Sequence, residues 1–334
     1  MTRIPFHTIQ LELQRVLELL GFSEDKAKQS ATLFAEASRD GVYSHGLNRF
    51  PRYVHYIRQG YIDVHASPSQ VAKIGLMEQW DGHLGPGNLN AWTGMERAIQ
   101  LGQAHGMGVV ALRHTNHWMR GGSYGWQAAE AGMIGLCFTN TQPNTPAWGN
   151  KSISIGNNPL IIALPRSAGH IVLDTAMTQF AFGKIEAYSR ANQLLPVPGG
   201  YDRQGQLTQD PKEIELSGRA LPFGFWKGSG LTIMLDLLAS ALAGGMCTSQ
   251  IGKQGPDEYN LSQVFIAINP LALGNAAHYQ EIISHTLDAL HQGEAAEAGG
   301  QAFYPGERTL QTRRDNLKLG IPVDEKYWAE IQAM

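Results

Sequence analysis

Cysteine is scarce in this chain: Cys137 and Cys247 are the only two in 334 residues, and both have small or apolar neighbours. That excludes a disulfide-framed scaffold, and two reduced thiols are a simpler reading than one bridge. Charge is sparse as well, with 16% charged residues and a formal net charge of -3. No basic run is long enough to follow a phosphate backbone, so no nucleic-acid partner is expected. Long apolar runs are missing: nothing approaches the roughly 20 residues needed to cross a bilayer. The opening Met1-Thr2-Arg3-Ile4-Pro5 leads into an amphipathic pattern rather than a signal-type apolar core. No membrane partner is expected, and the expected location is the cytoplasm. Internal repeats and low-complexity tracts are absent. So is an ordinary dinucleotide fingerprint, G-x-G-x-x-G between a strand and a helix. Gly106-Met107-Gly108 has the reversed context, helix before and strand after, while Gly85-Pro86-Gly87 and Gly228-Ser229-Gly230 lack a third glycine. No Gly-Lys-Ser/Thr of a phosphate-binding loop occurs.

What is present is an ordinary globular composition, 43% hydrophobic, long enough for one large or two ordinary domains. Apolar spacing predicts helices over 8–20 and 23–39, the second capped by Ser23 and ended by Gly41, and a third over Asn48–Arg58. Beyond about residue 68 strands and helices alternate. Strands are expected at Val71–Ile74, Gly108–Arg113, Met133–Asn140, Leu160–Leu164, Ile171–Thr175 and Gln263–Asn269. Helices are expected at Leu89–Ala104, Ser123–Ala131, Gln179–Ala191, Ser229–Ala243 (its apolar run reading as a buried helix) and Ala276–Leu290. Leu194–Leu221 reads as a long surface excursion, and helical patterning returns at Thr309–Leu319 and after Asp324. The expected fold is mixed α/β. A helical domain made from residues 1–70 plus 307–334 would flank an α/β domain over 71–306.

Two stretches carry chemistry that neither helix nor strand periodicity explains: Tyr43-Ser44-His45-Gly46-Leu47-Asn48-Arg49 and His114-Thr115-Asn116-His117-Trp118. Imidazole exchanges protons near neutral pH, and a guanidinium grips a carboxylate through paired hydrogen bonds. His45 reads equally as a presented catalytic ring or a buried histidine at a helix entrance. For His117 catalysis is weighed evenly against a structural role, and for His114 a satisfied strand-end histidine is preferred. Ser44 orients a ligand or merely caps a helix. Arg49 holds an acid or lies on the surface. The His114/His117 spacing also suits a shared metal, as in a metal-dependent hydrolase or lyase, yet no H-E-x-x-H pattern or nearby carboxylate accompanies it, and no metal is expected. Asp174, closing the apolar run Ile171-Val172-Leu173, suits a ligand hydroxyl or a histidine. Lys227 sits in an aromatic and glycine-rich entrance to a helix, and Pro305-Gly306-Glu307-Arg308 precedes another.

In this order the segments resemble the malate/L-lactate dehydrogenase-like family of NAD(P)-dependent oxidoreductases. The resemblance runs from about Leu11 to the C-terminus. It is carried by Gly41-Val42-Tyr43-Ser44-His45-Gly46, Asn48-Arg49-Phe50-Pro51-Arg52, the block from Asn116 to Glu130, and Trp226-Lys227-Gly228-Ser229-Gly230. Asp257-Glu258-Tyr259 and the strand around Gln263 add to it. The resemblance implies a non-Rossmann cofactor domain, a homodimer, and NADH, with NADPH possible, as cofactor. It implies that His45 is the proton donor, while His117 matches an acid–base histidine of other members, so the role stays open between the two. It further implies that His170, Ile171, Val172, Leu173, Asp174, Thr175, Ala176, Trp226, Lys227, Gly306, Glu307 and Arg308 line the nicotinamide cofactor. The expected activity is reduction of a ketone beside a carboxylate in a sugar-derived acid, with Ser44 and Arg49 on the substrate. Oxidation or reduction of a simpler 2-hydroxy or 2-keto acid is the alternative, and a non-catalytic sugar-acid binding protein is a third.

Overall fold

Seven strands make one mixed sheet at the centre of the computed structural model, which describes residues 2–272, 274–296 and 300–334. The strands are β1 (Ser69–Ile74), β2 (Met77–Asp81), β3 (Met107–Thr115), β4 (Ile134–Thr139), β5 (Leu160–Leu164), β6 (Ile171–Thr175) and β7 (Leu261–Ile268). Their spatial order is β1-β2-β3-β7-β4-β5-β6. β2 and β3 run parallel, and the other five neighbouring pairs are antiparallel. A doubly wound dinucleotide fold has a mainly parallel sheet, so this sheet is built on a different plan.

The helices used below are α1 (Phe6–Leu19), α2 (Glu24–Arg39), α3 (Phe50–Arg58), α4 (Gly87–His105), α5 (Gly122–Glu130), α6 (Phe182–Arg190), α7 (Trp226–Ala243), α8 (Ala276–His291), α9 (Glu307–Leu319) and α10 (Glu325–Gln332). Strand alternation sorts the core into two layers. Phe265 and Ala267 of β7 pack with Met95 and Ala98 of α4 and Tyr124 of α5. Their neighbour Val264 points the other way, onto Leu235 and Ala239 of α7. A third cluster joins Leu13, Phe34, Phe50 and Tyr53 of the first three helices to Ile321, Val323 and Ile331 near the C-terminus. The ends are tied further by antiparallel pairing of Ile4 with Ile321.

Most expected elements occur within a few residues of their predicted bounds, and the departures have local causes. β2 was not anticipated because Met77-Glu78-Gln79-Trp80-Asp81 lacks an apolar alternation. Its Glu78 is buried through a two-pronged contact with Arg97 of α4, at 2.8 and 2.9 Å. Ser23 occupies the N-cap position of α2 without any side-chain cap bond. The third helix begins at Phe50 rather than Asn48, because two short 3₁₀ turns, Tyr43–His45 and Leu47–Arg49, precede it. α7 is not a buried helix. It rests one strip on the sheet and leaves Met234 and Leu237 about half exposed, with Leu231, Ile233 and Leu238 also open. The excursion over 194–221 contains a small hairpin and the helix Pro211–Ser217, which buries Ile214 against Leu195. Among the described residues, no single helix is long and apolar enough to cross a membrane.

Candidate active site

The two histidine segments meet. The rings of His45 and His117 stack with centroids 5.9 Å apart and planes 22° from parallel. His45 arrives on the turn between α2 and α3, where its Nδ1 lies 3.0 Å from Ser44 Oγ. His117 arrives on the loop leaving β3, whose path is fixed from within. The buried Asn116 amide donates to the carbonyls of Tyr61, Leu84 and Gly85, while Gln263 donates to Asn116 O. Left-handed φ values at His114 (48°) and Met119 (64°) bracket this loop. Such strain in residues with side chains persists only where the surroundings over-determine it.

One hydrogen bond fixes the tautomer of His117. The backbone N–H of Met119 donates to His117 Nδ1 at 2.9 Å. An amide N–H can only donate, so Nδ1 is an acceptor and the neutral ring carries its proton on Nε2. That nitrogen faces Glu258 Oε1 at 3.9 Å. Burial pushes the proton affinity of His117 well below the usual histidine range, and Arg49, His45 and Arg52 push the same way. Burial also lowers His45; the Asp174 carboxylate opposes that, and Arg49 and Arg120 reinforce it. The buried Glu258 is pushed up by desolvation against the pull of Arg49, and it accepts the Gln142 N–H at 3.1 Å.

Arg49 lies between these groups on the second 3₁₀ turn. Among the described residues its guanidinium has no hydrogen-bond or ion-pair partner within the limits met by the other pairs named here. A mostly buried, uncommitted guanidinium beside two imidazoles is suited to a carboxylate ligand.

Of the three segments expected to line a cofactor, the turn at Pro305-Gly306 meets the start of β6 and the loop before α7 meets the chain just beyond its end. Val172 N donates to Pro305 O, placing Gly306 against the strand, and Phe223 N donates to Met177 O just before α7. Asp174 Oδ2 accepts from Gly122 N at 2.8 Å, at the start of α5. A Cβ on Gly306 would lie 3.1 Å from Val172 N, and one on Gly122 would lie 2.7 Å from Asp174 Oδ2. The backbone therefore forms a cradle that side chains would fill. Lys227, on the first turn of the long helix α7, makes only a cation–π contact with Trp226 among the contacts of the described residues. A lysine at a helix start fits a phosphate oxygen, while the N–H groups of Lys227, Gly228 and Ser229 are already given to the carbonyls of Gly224, Phe223 and Phe225.

Not every expected residue turns its side chain to this place. His170 accepts the Arg166 N–H on Nδ1 and packs beside Trp126. Ile171 packs with Ile283, Leu287 and Tyr304, and Val172 enters the core beneath α5. Leu173 and Thr175 pair with Ile162 and Leu160 of β5, and Ala176 O accepts from Thr175 Oγ1. Glu307 Oε2 accepts from Tyr304 N, closing its own turn, and Arg308 lies over the Phe303 ring. Ser44 engages His45. His114 leaves the pair altogether, its Nδ1 held 2.8 Å from Asp81 Oδ2. The two histidines of the metal reading thus belong to separate networks, and no group of three ligating side chains converges among the described residues. Sequence reasoning missed three charged groups beside the site: Asp40, Arg120 and Glu258 as a partner of His117. Each gets its partner from a distant part of the chain.

Stacked imidazoles beside an uncommitted arginine suit proton exchange with a small acid. The comparisons agree. Residues 4–332 match the family profile described as malate/L-lactate dehydrogenase. The chain is 43% identical to the 2,3-diketo-L-gulonate reductase of Salmonella typhimurium over 332 residues, covering 99% of this chain and all of that one. Sulfolactate dehydrogenase from Methanocaldococcus jannaschii superposes with a TM-score of 0.91 at 30% identity, over 99% of this chain and 95% of the other. Delta1-piperideine-2-carboxylate reductase from Pseudomonas syringae gives 0.88 at 28% identity, over 100% and 99%. The chain belongs to the malate/L-lactate dehydrogenase family and is an oxidoreductase of that group.

Proposed function

We propose that the protein reduces 2,3-diketo-L-gulonate at its C2 carbonyl, giving 3-keto-L-gulonate, with NADH as cofactor and NADPH accepted. The observation that carries the acid–base part is the Met119 N–H on His117 Nδ1. A second proton could enter that ring only at Nδ1, by breaking this bond. His117 therefore serves as a neutral Nε2–H donor to the substrate oxygen, and His45 is the proton donor. Ser44 holds Nδ1 of His45, which leaves its Nε2 for the substrate. Asp174 favours the protonated His45 ring through its charge.

The cradle along Val172–Asp174, Gly306 and Lys227 would hold the dinucleotide, which when bound supplies the hydride to the carbonyl carbon. The oxygen, gaining negative charge, is stabilised by His117 Nε2–H and takes the proton from His45, leaving an alcohol and a neutral ring. Arg49 fixes the adjacent carboxylate. The relative at 43% identity supports the substrate. The printed names of the two solved relatives, a lactate derivative and a 2-carboxylate, support a second reading, turnover of another 2-keto or 2-hydroxy acid. The open apolar face of α7 supports a homodimer, in keeping with a cytoplasmic enzyme; sedimentation at equilibrium would read its mass. Nicotinamide oxidation with 2,3-diketo-L-gulonate, lost in His45→Gln, is the test of the chemistry.

A further inference from the structure

Asp40 terminates α2 and is almost completely buried, yet it faces three guanidinium groups. Arg39 Nε reaches its Oδ1 at 2.8 Å, Arg120 reaches its Oδ2 at 2.6 Å, and Arg313 of α9 makes a two-pronged contact at 2.8 and 2.7 Å. One carboxylate thus ties together the end of α2, the loop entering α5 and α9. Arg120 is the innermost cation, only 5% exposed, and its Nε has no hydrogen-bond partner among the described residues. That side chain lies beside Asp174. A single methyl group placed on Gly122 would touch both Asp174 Oδ2 (2.7 Å) and Arg120 Nε (3.3 Å).

We propose that Asp40 and Arg120 are positioning residues for the proton donor: Asp40 holds the Arg120 guanidinium away from Asp174, keeping the Asp174 charge available to His45. The inference rests on the reading of His45 as the acid. An arginine this close to Asp174 would otherwise form the stronger, direct pair with it, and His45 would lose its one favourable charge. The charged and titratable groups that bear most on His45 come from four elements. They are Asp174 from β6, Arg49 from the turn before α3, Arg120 from the loop before α5, and neutral His117 from the loop after β3. Burial, Arg49 and Arg120 work against a proton on His45, and Asp174 is the charge that works for it.

The two residues then have opposite effects when altered. Asp40→Asn releases Arg120 toward Asp174 and lowers the proton affinity of His45. Arg120→Gln removes a cation, keeps Asp40 paired with Arg39 and Arg313, and raises it. Each shift is expected to reach about half a pH unit or more for a charge at this range. Ring NMR titration of His45, assigned by loss of its signal in His45→Ala, reads both shifts in the cofactor-free protein. The pH dependence of kcat/KM with NADH and 2,3-diketo-L-gulonate reads them again in turnover. Asp40→Glu should return the titration toward wild type. Should Asp40→Asn fail to fold, Arg120→Gln alone decides. Folded variants in which His45 titrates as in wild type would overturn the proposal. Shifted ring titrations with an unmoved pH–rate limb would uphold the pairing and instead sink the assignment of His45 as the acid.

Discussion

His45 and His117 stack at 5.9 Å, yet their hydrogen bonds give them opposite chemical characters. His117 Nδ1 is occupied by a backbone donor, whereas His45 Nδ1 meets a hydroxyl that can donate or accept. Only His45 can change its protonation without breaking a main-chain hydrogen bond. His45→Gln should therefore lower kcat by about 10²–10⁴-fold, the usual worth of a placed general acid. It should also remove the histidine limb from the pH profile. His117→Gln keeps an N–H donor and should retain that limb at reduced rate. Steady-state kinetics across pH checks both, and loss of the limb only in His117→Gln would reverse the roles.

The sign of that limb follows from the surroundings. Burial and the nearby arginines place His45 below its ordinary value of 6.5, and the proposed reduction would use the protonated ring. kcat/KM for reduction should then fall as pH rises through a value below 6.5. A bound substrate carboxylate offsets the Arg49 charge, so the limb in kcat should lie at higher pH than the limb in kcat/KM. Coincident limbs would argue against a carboxylate on Arg49.

Arg49 itself should act mainly on binding. Arg49→Met removes the uncommitted guanidinium and is expected to raise KM for the keto acid about 10²-fold, in line with losing a buried charge-assisted contact of roughly 3 kcal/mol. KM for the nicotinamide should stay near wild type. Equal losses for both substrates would place Arg49 in a general structural role.

Gly306 has φ of 94°, and a Cβ there would lie 3.1 Å from Val172 N. Alanine there is strained in backbone and in space. Gly306→Ala should weaken NADH binding, read as tryptophan fluorescence quenching, by about tenfold or more, the scale of 1–2 kcal/mol of strain. Unchanged quenching would remove this turn from the cofactor cradle.

The strands and helices with a clear apolar period were legible in the sequence, as in β5, β6 and α8. β2 was not, because its buried charge, Glu78, is acceptable only once Arg97 is supplied from the next helix. The same limit applies at the site. His45, Arg49, His117 and Asp174 stand out as reactive side chains beside turns. Asp40 and Arg120, 80 residues apart, reveal nothing until the fold brings them to 2.6 Å. The tautomer of His117 likewise depends on a backbone N–H that the left-handed turn at Met119 aims at the ring. The open apolar face of α7 reads as core by composition, since sequence carries no record of which side meets the sheet.

Glu78 offers a stability test independent of chemistry. The Arg97 contact holds its carboxyl at about 2, below an ordinary 4.5. A depressed carboxyl stabilises the fold fully above its ordinary value and loses that contribution as pH falls toward 2. Glu78→Gln should cost about 2 kcal/mol near neutral pH, with the difference from wild type vanishing in acid. Denaturant unfolding at several pH values reads it, and a gap that persists in acid would point to packing rather than charge.

The most direct test of the account is oxidation of NADH and of NADPH in the presence of 2,3-diketo-L-gulonate, beside pyruvate, oxaloacetate and 2-ketobutyrate. The account predicts turnover of diketogulonate with NADH, abolished in His45→Gln and retained after exhaustive chelation. Turnover of only the simpler keto acids would contradict the substrate, and oxidation of neither cofactor with any acid would contradict the reaction itself.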